Sequence, residues 1–250
     1  MMSLQLLALL GCGPAMLPAD AEARLLLAAQ EPDALGERIY EGRVARRDGE
    51  GLELFRYERR ILDLEEGLFA SHLTRSVSGE PVVLHQALQS WDHQLLSFEE
   101  IHAQTGLVGQ LWVASDGTAS FESTQDGRTK TRQERPGEPL HVGPTLFGYV
   151  QVNWASLLDG ASHRVRFAVL EDLRSYDFDL VLVDAQPEET TFEMRASNPV
   201  VALGVPTMRL VFDSDQEILR YSGLVPPLEE LDGRLDKLDA TVTYTFAGAR

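Results

Sequence analysis

Residues 164–170 read RVRFAVL, with Val165, Phe167 and Val169 alternating against Arg164, Arg166 and Ala168. A period of two places one set on a buried sheet face and the other toward solvent. The same period recurs in 176–183, where Tyr176, Phe178, Leu180 and Leu182 alternate with Asp177 and Asp179. It recurs again in 240–246, where Ala240, Val242, Tyr244 and Phe246 alternate with Thr241, Thr243 and Thr245. Weaker alternation marks strands at 38–47, 52–62, 68–78, 81–89, 94–104, 107–114, 118–124, 128–134, 190–197, 207–213 and 217–222. Asp48-Gly49, Asp116-Gly117 and Asp126-Gly127 are hairpin signals, because glycine accepts the positive φ of a two-residue turn. Strands joined by tight turns pair with their neighbours in sequence. The expectation is a mainly β chain, an antiparallel up-and-down meander that forms a curved half-barrel or a barrel.

One segment departs from this period. In 146–158 (LFGYVQVNWASLL) the residues Leu146, Phe147, Val150, Trp154, Leu157 and Leu158 fall at helical spacing, and Asp159-Gly160 follows as a stop. This predicts one helix covering the sheet, although Val150 and Val152 lower helix propensity enough that part of it could be strand. The expected organisation is residues 1–18 as an export signal, 19–35 as a short helix or tether with Asp20 at its N-cap, and 36–250 as a single β domain.

Met1 to Pro18 contains a short apolar stretch that ends in Leu9-Leu10-Gly11-Cys12. This resembles a bacterial lipoprotein signal, although no Lys or Arg precedes the stretch as an export signal normally requires. The resemblance implies cleavage before Cys12, a lipid on its sulfur, attachment to a membrane through that lipid and a location on the periplasmic side of the cell envelope. The other readings are export without a lipid, and a cytoplasmic protein in which Cys12, the single cysteine of the chain, is a buried thiol.

The second half carries a broader resemblance. Gly143 to Tyr149, Trp154 to Gly160, the strand around Phe167, Ser197-Asn198-Pro199, Leu210 to Asp213, Leu219 to Gly223 and Val242 to Phe246 resemble a group of uncharacterised exported bacterial proteins. That group is similar to the LolA-type carriers that sort lipoproteins. The resemblance implies an open curved sheet with a helix over its apolar mouth, and brings no site residues with it.

Composition narrows the function classes. With 22 Lys+Arg against 39 Asp+Glu, a formal charge of −17 opposes binding to a phosphate backbone, so no nucleic-acid partner is expected. The six histidines (His72, His85, His93, His102, His141, His163) form no HExxH or comparable ligand spacing, so no metal or cofactor is expected. His85, His93 and His102 sit eight and nine apart, where they could cluster across a sheet. Asp92-His93 with Ser90 and Ser97 supplies hydrolase residue types without a G-x-S-x-G elbow. Asp213 to Glu217 begins like a calcium loop but lacks its later ligands and reads as a turn. Glu65-Glu66 and Glu229-Glu230-Leu231-Asp232 read as solvated acidic loops.

The remaining constellation is aromatic. Trp112, Phe147, Trp154 and Phe167, together with Trp91, Phe98, Tyr149 and Phe178, are available to line the concave face and its helix. They either fill a core or border a cavity for an apolar or lipid-like ligand. Three functions stay open: an envelope protein that binds such a ligand without catalysis, a filled scaffold that joins a protein partner, and a β-barrel enzyme using a histidine such as His85 or His102.

Overall fold

The computed structural model describes residues 16–30, 37–48 and 51–249. Cys12 and residues 1–15 of the expected export signal lie outside the described residues. The chain opens on helix α1 (Ala19–Ala28). Strands β1 (Arg38–Arg46), β2 (Glu53–Leu64), β3 (Gly67–Ser76), β4 (Pro81–Gln89), β5 (Leu95–His102), β6 (Leu107–Val113), β7 (Ala119–Gln125) and β8 (Arg128–Glu134) follow. After the two-residue β9 (Leu140–His141) come helices α2 (Gly143–Val152) and α3 (Trp154–Leu158). The second run is β10 (His163–Val169), β11 (Arg174–Ala185), β12 (Glu189–Ala196), the short helix α4 (Pro199–Ala202), β13 (Met208–Asp213), β14 (Ile218–Leu231) and β15 (Arg234–Ala249).

All strands join one 15-stranded sheet, ordered β8 down to β1, then β15 down to β9. Successive strands pair antiparallel, β1 pairs with β15 to splice the two runs, and among the described residues only the β9–β10 pair is parallel. The sheet is not closed by hydrogen bonds, since β8 and β9 are its two edges. The mainly β, antiparallel curved half-barrel with covering helices follows the expectation.

The half-barrel rolls further into a spiral. Val165 of β10 lies in the large core around α2–α3. Ala168 has the opposite parity, and it packs with Leu140, Leu170 and Leu173 against Ala87, Phe98, Leu111 and Phe121 on the inner face of β4–β7. The β9–β10 end of the sheet is therefore tucked beneath β4–β7. Gly109 permits the approach: a Cβ there would come within 2.9 Å of Leu170 Cδ1. One end of the roll is tied by the Gln104 amide. It donates to Leu228 O (2.8 Å) and accepts from Leu228 N (2.9 Å), while His102 Nε2 donates to Pro226 O (3.0 Å).

Helix α1 packs on the outer face, where Ala21 and Leu25 meet Leu73, Leu84 and Ile101. Its N-cap is Pro18, not Asp20, which sits inside the first turn where a carboxylate meets the positive end of the helix. The expected 146–158 helix is two pieces. It starts earlier, at Gly143, because Thr145 Oγ1 accepts from Val142 N and donates to Val142 O (both 3.0 Å). It breaks at Asn153, whose side chain donates to Tyr149 O (2.9 Å) and so competes with the backbone. Residues 229–231 are also not loop: β14 and β15 run on to Asp232-Gly233, whose φ values of 50° and 75° form a two-residue hairpin turn. The edge strand β8 (RTKTRQE) is almost wholly exposed, and its charges oppose edge-to-edge aggregation.

Candidate functional site

The core enclosed by the roll is built from Leu146, Phe147, Val150 and Leu157 of the helix pair against Phe178, Phe192, Leu210, Phe212, Val242 and Tyr244 of the sheet. Phe147 is buried in it and Trp154 packs against it. Trp154 meets Phe192 and Phe212 edge-on, at 5.2 and 5.5 Å between ring centres, and Phe167 packs on Phe178 at 6.2 Å. Trp112 does not line the concave face. It pairs with Ser97 and Ser120 on the outer face and is 43% exposed, because the sheet alternation places Leu111 inward and Trp112 outward. The aromatic groups act as core filling. Two hollows, about 370 and 710 Å³, lie away from the helix–sheet interface, around Leu88 and Trp112 and around Arg164, Arg174 and Val200. Of the two roles left open for these aromatic groups, Phe147, Trp154, Phe167 and Phe178 pack into the core.

A second feature of the inner face was not anticipated. Reading across β1 to β5, Tyr40 pairs with Arg59, Arg59 with His72, His72 with His85, and His85 with Glu100. Direct cross-strand partners project to the same side of a sheet, so these five residues form one transverse polar row. All are buried or nearly so, and Arg59 is only 3% exposed. The row ends in two carboxylates. Tyr40 donates its hydroxyl proton to Glu217 Oε2 at 2.5 Å, and His85 Nε2 lies 3.5 Å from Glu100 Oε1.

Between these ends the row is poorly satisfied. Among the described residues, no carboxylate lies within ion-pair distance of Arg59, and its Nε has no hydrogen-bond partner. Its guanidinium instead stacks near two rings, 5.0 Å from the centre of Tyr40 and 5.1 Å from that of Phe147. His72 Nε2, His85 Nδ1 and the Tyr57 hydroxyl are also buried without hydrogen-bond partners. Helix α2 covers the row through Phe147, whose ring lies 6.2 Å from His72. An apolar lid can exclude water from these groups but cannot bond them.

The electrostatics follow from this burial. Burial, the positive Arg59 and then His85 hold His72 well below the usual histidine range, so it is neutral near pH 7. Burial and the Glu217 hydrogen bond push the Tyr40 phenol up to about 12. Burial would raise Glu100, but the hydrogen bond and charge of His85 outweigh it and leave its carboxyl below the ordinary value. Burial draws Arg59 down, yet a guanidinium remains charged.

Of the three histidines expected to cluster, His85 and His102 share the inner face. His93 sits apart in the β4–β5 turn at φ 56°, with its Nδ1 3.2 Å from where a Cβ on Gly148 would stand. His141 stacks on Tyr149 at 4.4 Å, and His163 contacts the Tyr149 hydroxyl (3.2 Å) and Ser156 Oγ (2.9 Å). Ser90 Oγ accepts from Gln94 N within the turn and Ser97 faces outward, so these hydroxyls and His93 are not assembled into a triad. Asp213 Oδ1 accepts from the backbone of Asp215 and Glu217, which makes that segment a turn. Among the described residues no group of three or more His, Cys, Asp or Glu could hold a metal ion, and no helix is long and apolar enough to cross a membrane.

No family model and no curated protein matches the chain. Among solved structures it is similar to a beta-barrel-like protein of a domain of unknown function (DUF1849) from Brucella abortus. That likeness has 10% identity and a TM-score of 0.49, and covers 84% of this chain and 94% of that one. It is also similar to a Bacteroides fragilis protein described as exported with a YmcC-like fold, at 10% identity and a TM-score of 0.27 over 85% and 95% of the two chains.

Proposed function

We propose that the protein is exported, anchored to the cell envelope by a lipid on Cys12, and binds an apolar or lipid-like molecule between the inner face of its sheet and the α2–α3 pair. The observation that carries this reading is that the apolar inner wall is sealed by a separate helical segment. That segment is broken at Asn153, and it covers polar groups that it leaves unbonded. An acyl chain would bury the same wall at about 25 cal/mol per Å². Exchange of helix for chain is therefore closer to balance than opening a continuous core. The interior is filled by side chains, so binding requires α2–α3 to swing outward between Gly143-Pro144 and Gly160. Leu9-Leu10-Gly11-Cys12 supports the anchor and the address.

Native mass spectrometry of protein purified from its own envelope tests both parts. The expected species begins at a lipid-modified Cys12 and retains an apolar small molecule. A chain that still carries Met1, unmodified at Cys12 and free of any companion, would contradict the proposal. The filled interior and the exposed edge strand β8 favour a second reading, an envelope scaffold that joins a protein partner. A retained protein with no small molecule would select it.

A further inference from the structure

We infer that Arg59 is the counter-ion for the head of the bound molecule, and that the ligand is a long-chain amphiphile with an anionic head, carboxylate or phosphate. This deepens the reading above and rests on it. A guanidinium buried without a carboxylate partner is costly, and natural cores rarely keep one without a compensating group. Glu217 favours the charged guanidinium from a distance but accepts the Tyr40 hydroxyl and is not within ion-pair reach of Arg59, and Glu100 stands three strands along the row beside His85. At about 4.8 Å per strand that separation is roughly 14 Å, too far to neutralise Arg59.

The surroundings of Arg59 complete the description of the ligand. Its planar fork matches a carboxylate or phosphate through two parallel hydrogen bonds, and its Nε is free to make one of them. His72 and Tyr57, beside it on the inner face, hold further unbonded polar atoms for the same head. From Arg59 the aromatic rings run away along the helix pair, Phe147 to Phe212 at 6.3 Å and Phe212 to Phe192 at 6.0 Å. A charged end followed by a continuous apolar track describes an amphiphile; a small inorganic anion would leave the track unused.

The test compares ligands with one tail and different heads on the full chain. Tetradecanoate, tetradecyl phosphate and tetradecanol compete for the protein against the neutral probe N-phenyl-1-naphthylamine. An anionic head is expected to bind at least tenfold more tightly than the alcohol, with the tighter anion identifying carboxylate or phosphate. Arg59→Met is expected to abolish the preference and Arg59→Lys to retain part of it. Should Arg59→Met fail to fold, the wild-type comparison of acid and alcohol decides alone. Equal binding of all three by the wild type would overturn the head-group assignment while leaving apolar binding intact. No competition by any of them would overturn the proposed function and this inference together.

Discussion

The guanidinium carbon of Arg59 lies 5.1 Å from the centre of the Phe147 ring, so helix α2 meets the sheet through a buried cation and an aromatic face. A pairing of this kind is worth up to about 2 kcal/mol when desolvated. It holds the lid without giving the cation a true hydrogen-bonding partner. Phe147→Ala is therefore expected to cost about 3–5 kcal/mol in urea unfolding, through lost burial and lost stacking. A change below 1 kcal/mol would mean that α2 does not press on the row.

Removing the cation should have the opposite sign. Arg59→Met keeps most of the apolar stem and abolishes an unpaired buried charge, so the ligand-free protein is expected to gain stability. For a chain of this size each kcal/mol corresponds to about 2–4 °C. A rise in Tm supports the assignment of Arg59 as a group retained for binding, whereas a fall of several degrees would make it a structural residue.

Acid should weaken the fold before the carboxylates titrate. Burial, with His93 nearby, lowers His141 to about 4, and burial also lowers His72 and His102. Their unfolded value is about 6.5, so the unfolded chain binds protons between pH 6.5 and 4 that the folded chain refuses. Stability is complete above that window and falls as the pH descends through it, by about 2 kcal/mol from His141 alone between pH 7.5 and 5. Urea titrations at the two values measure this, and His141→Leu should reduce the difference by about 2 kcal/mol, leaving the part due to His72 and His102. Equal stability at both would contradict the buried, neutral histidines.

Two tryptophans separate core from surface. Trp154 packs edge-on against Phe192 and Phe212, so Trp154→Ala should cost about 3 kcal/mol or more. Trp112, on the outer face, should cost under about 1 kcal/mol when changed to Ala. Denaturant midpoints distinguish the two, and equal losses would be incompatible with the observed inside-out placement.

Much of this architecture is written locally. Alternation in 164–170, 176–183 and 240–246 predicts β10, β11 and β15, and Asp126-Gly127 predicts the β7–β8 turn through two positive φ values, 51° and 69°. Asp232-Gly233 is the same signal, obscured by the acidic run before it and by Pro226-Pro227, which break the period within β14. The polar row is harder to read, because its members are 13 to 19 positions apart and meet only through strand register. Fixing the β3–β4 register from the turn at Gly79 brings His72 opposite His85, and Arg59 then follows from β2. The charge of Arg59 argues for an exposed face, and only tertiary rolling of the sheet places it inside. That same rolling decides that the aromatic groups fill the interior, a choice that periodicity alone leaves open.

The central claim is that a chain takes the place of the helix pair on the inner wall, and intermolecular NOEs measure this most directly. In methyl- and aromatic-labelled protein saturated with the tightest-binding amphiphile, tail protons are expected to contact Phe192, Leu210 and Phe212, with altered shifts throughout residues 143–160. Contacts confined to the outer grooves around Trp112 or Val200, with α2–α3 unshifted, would contradict the account.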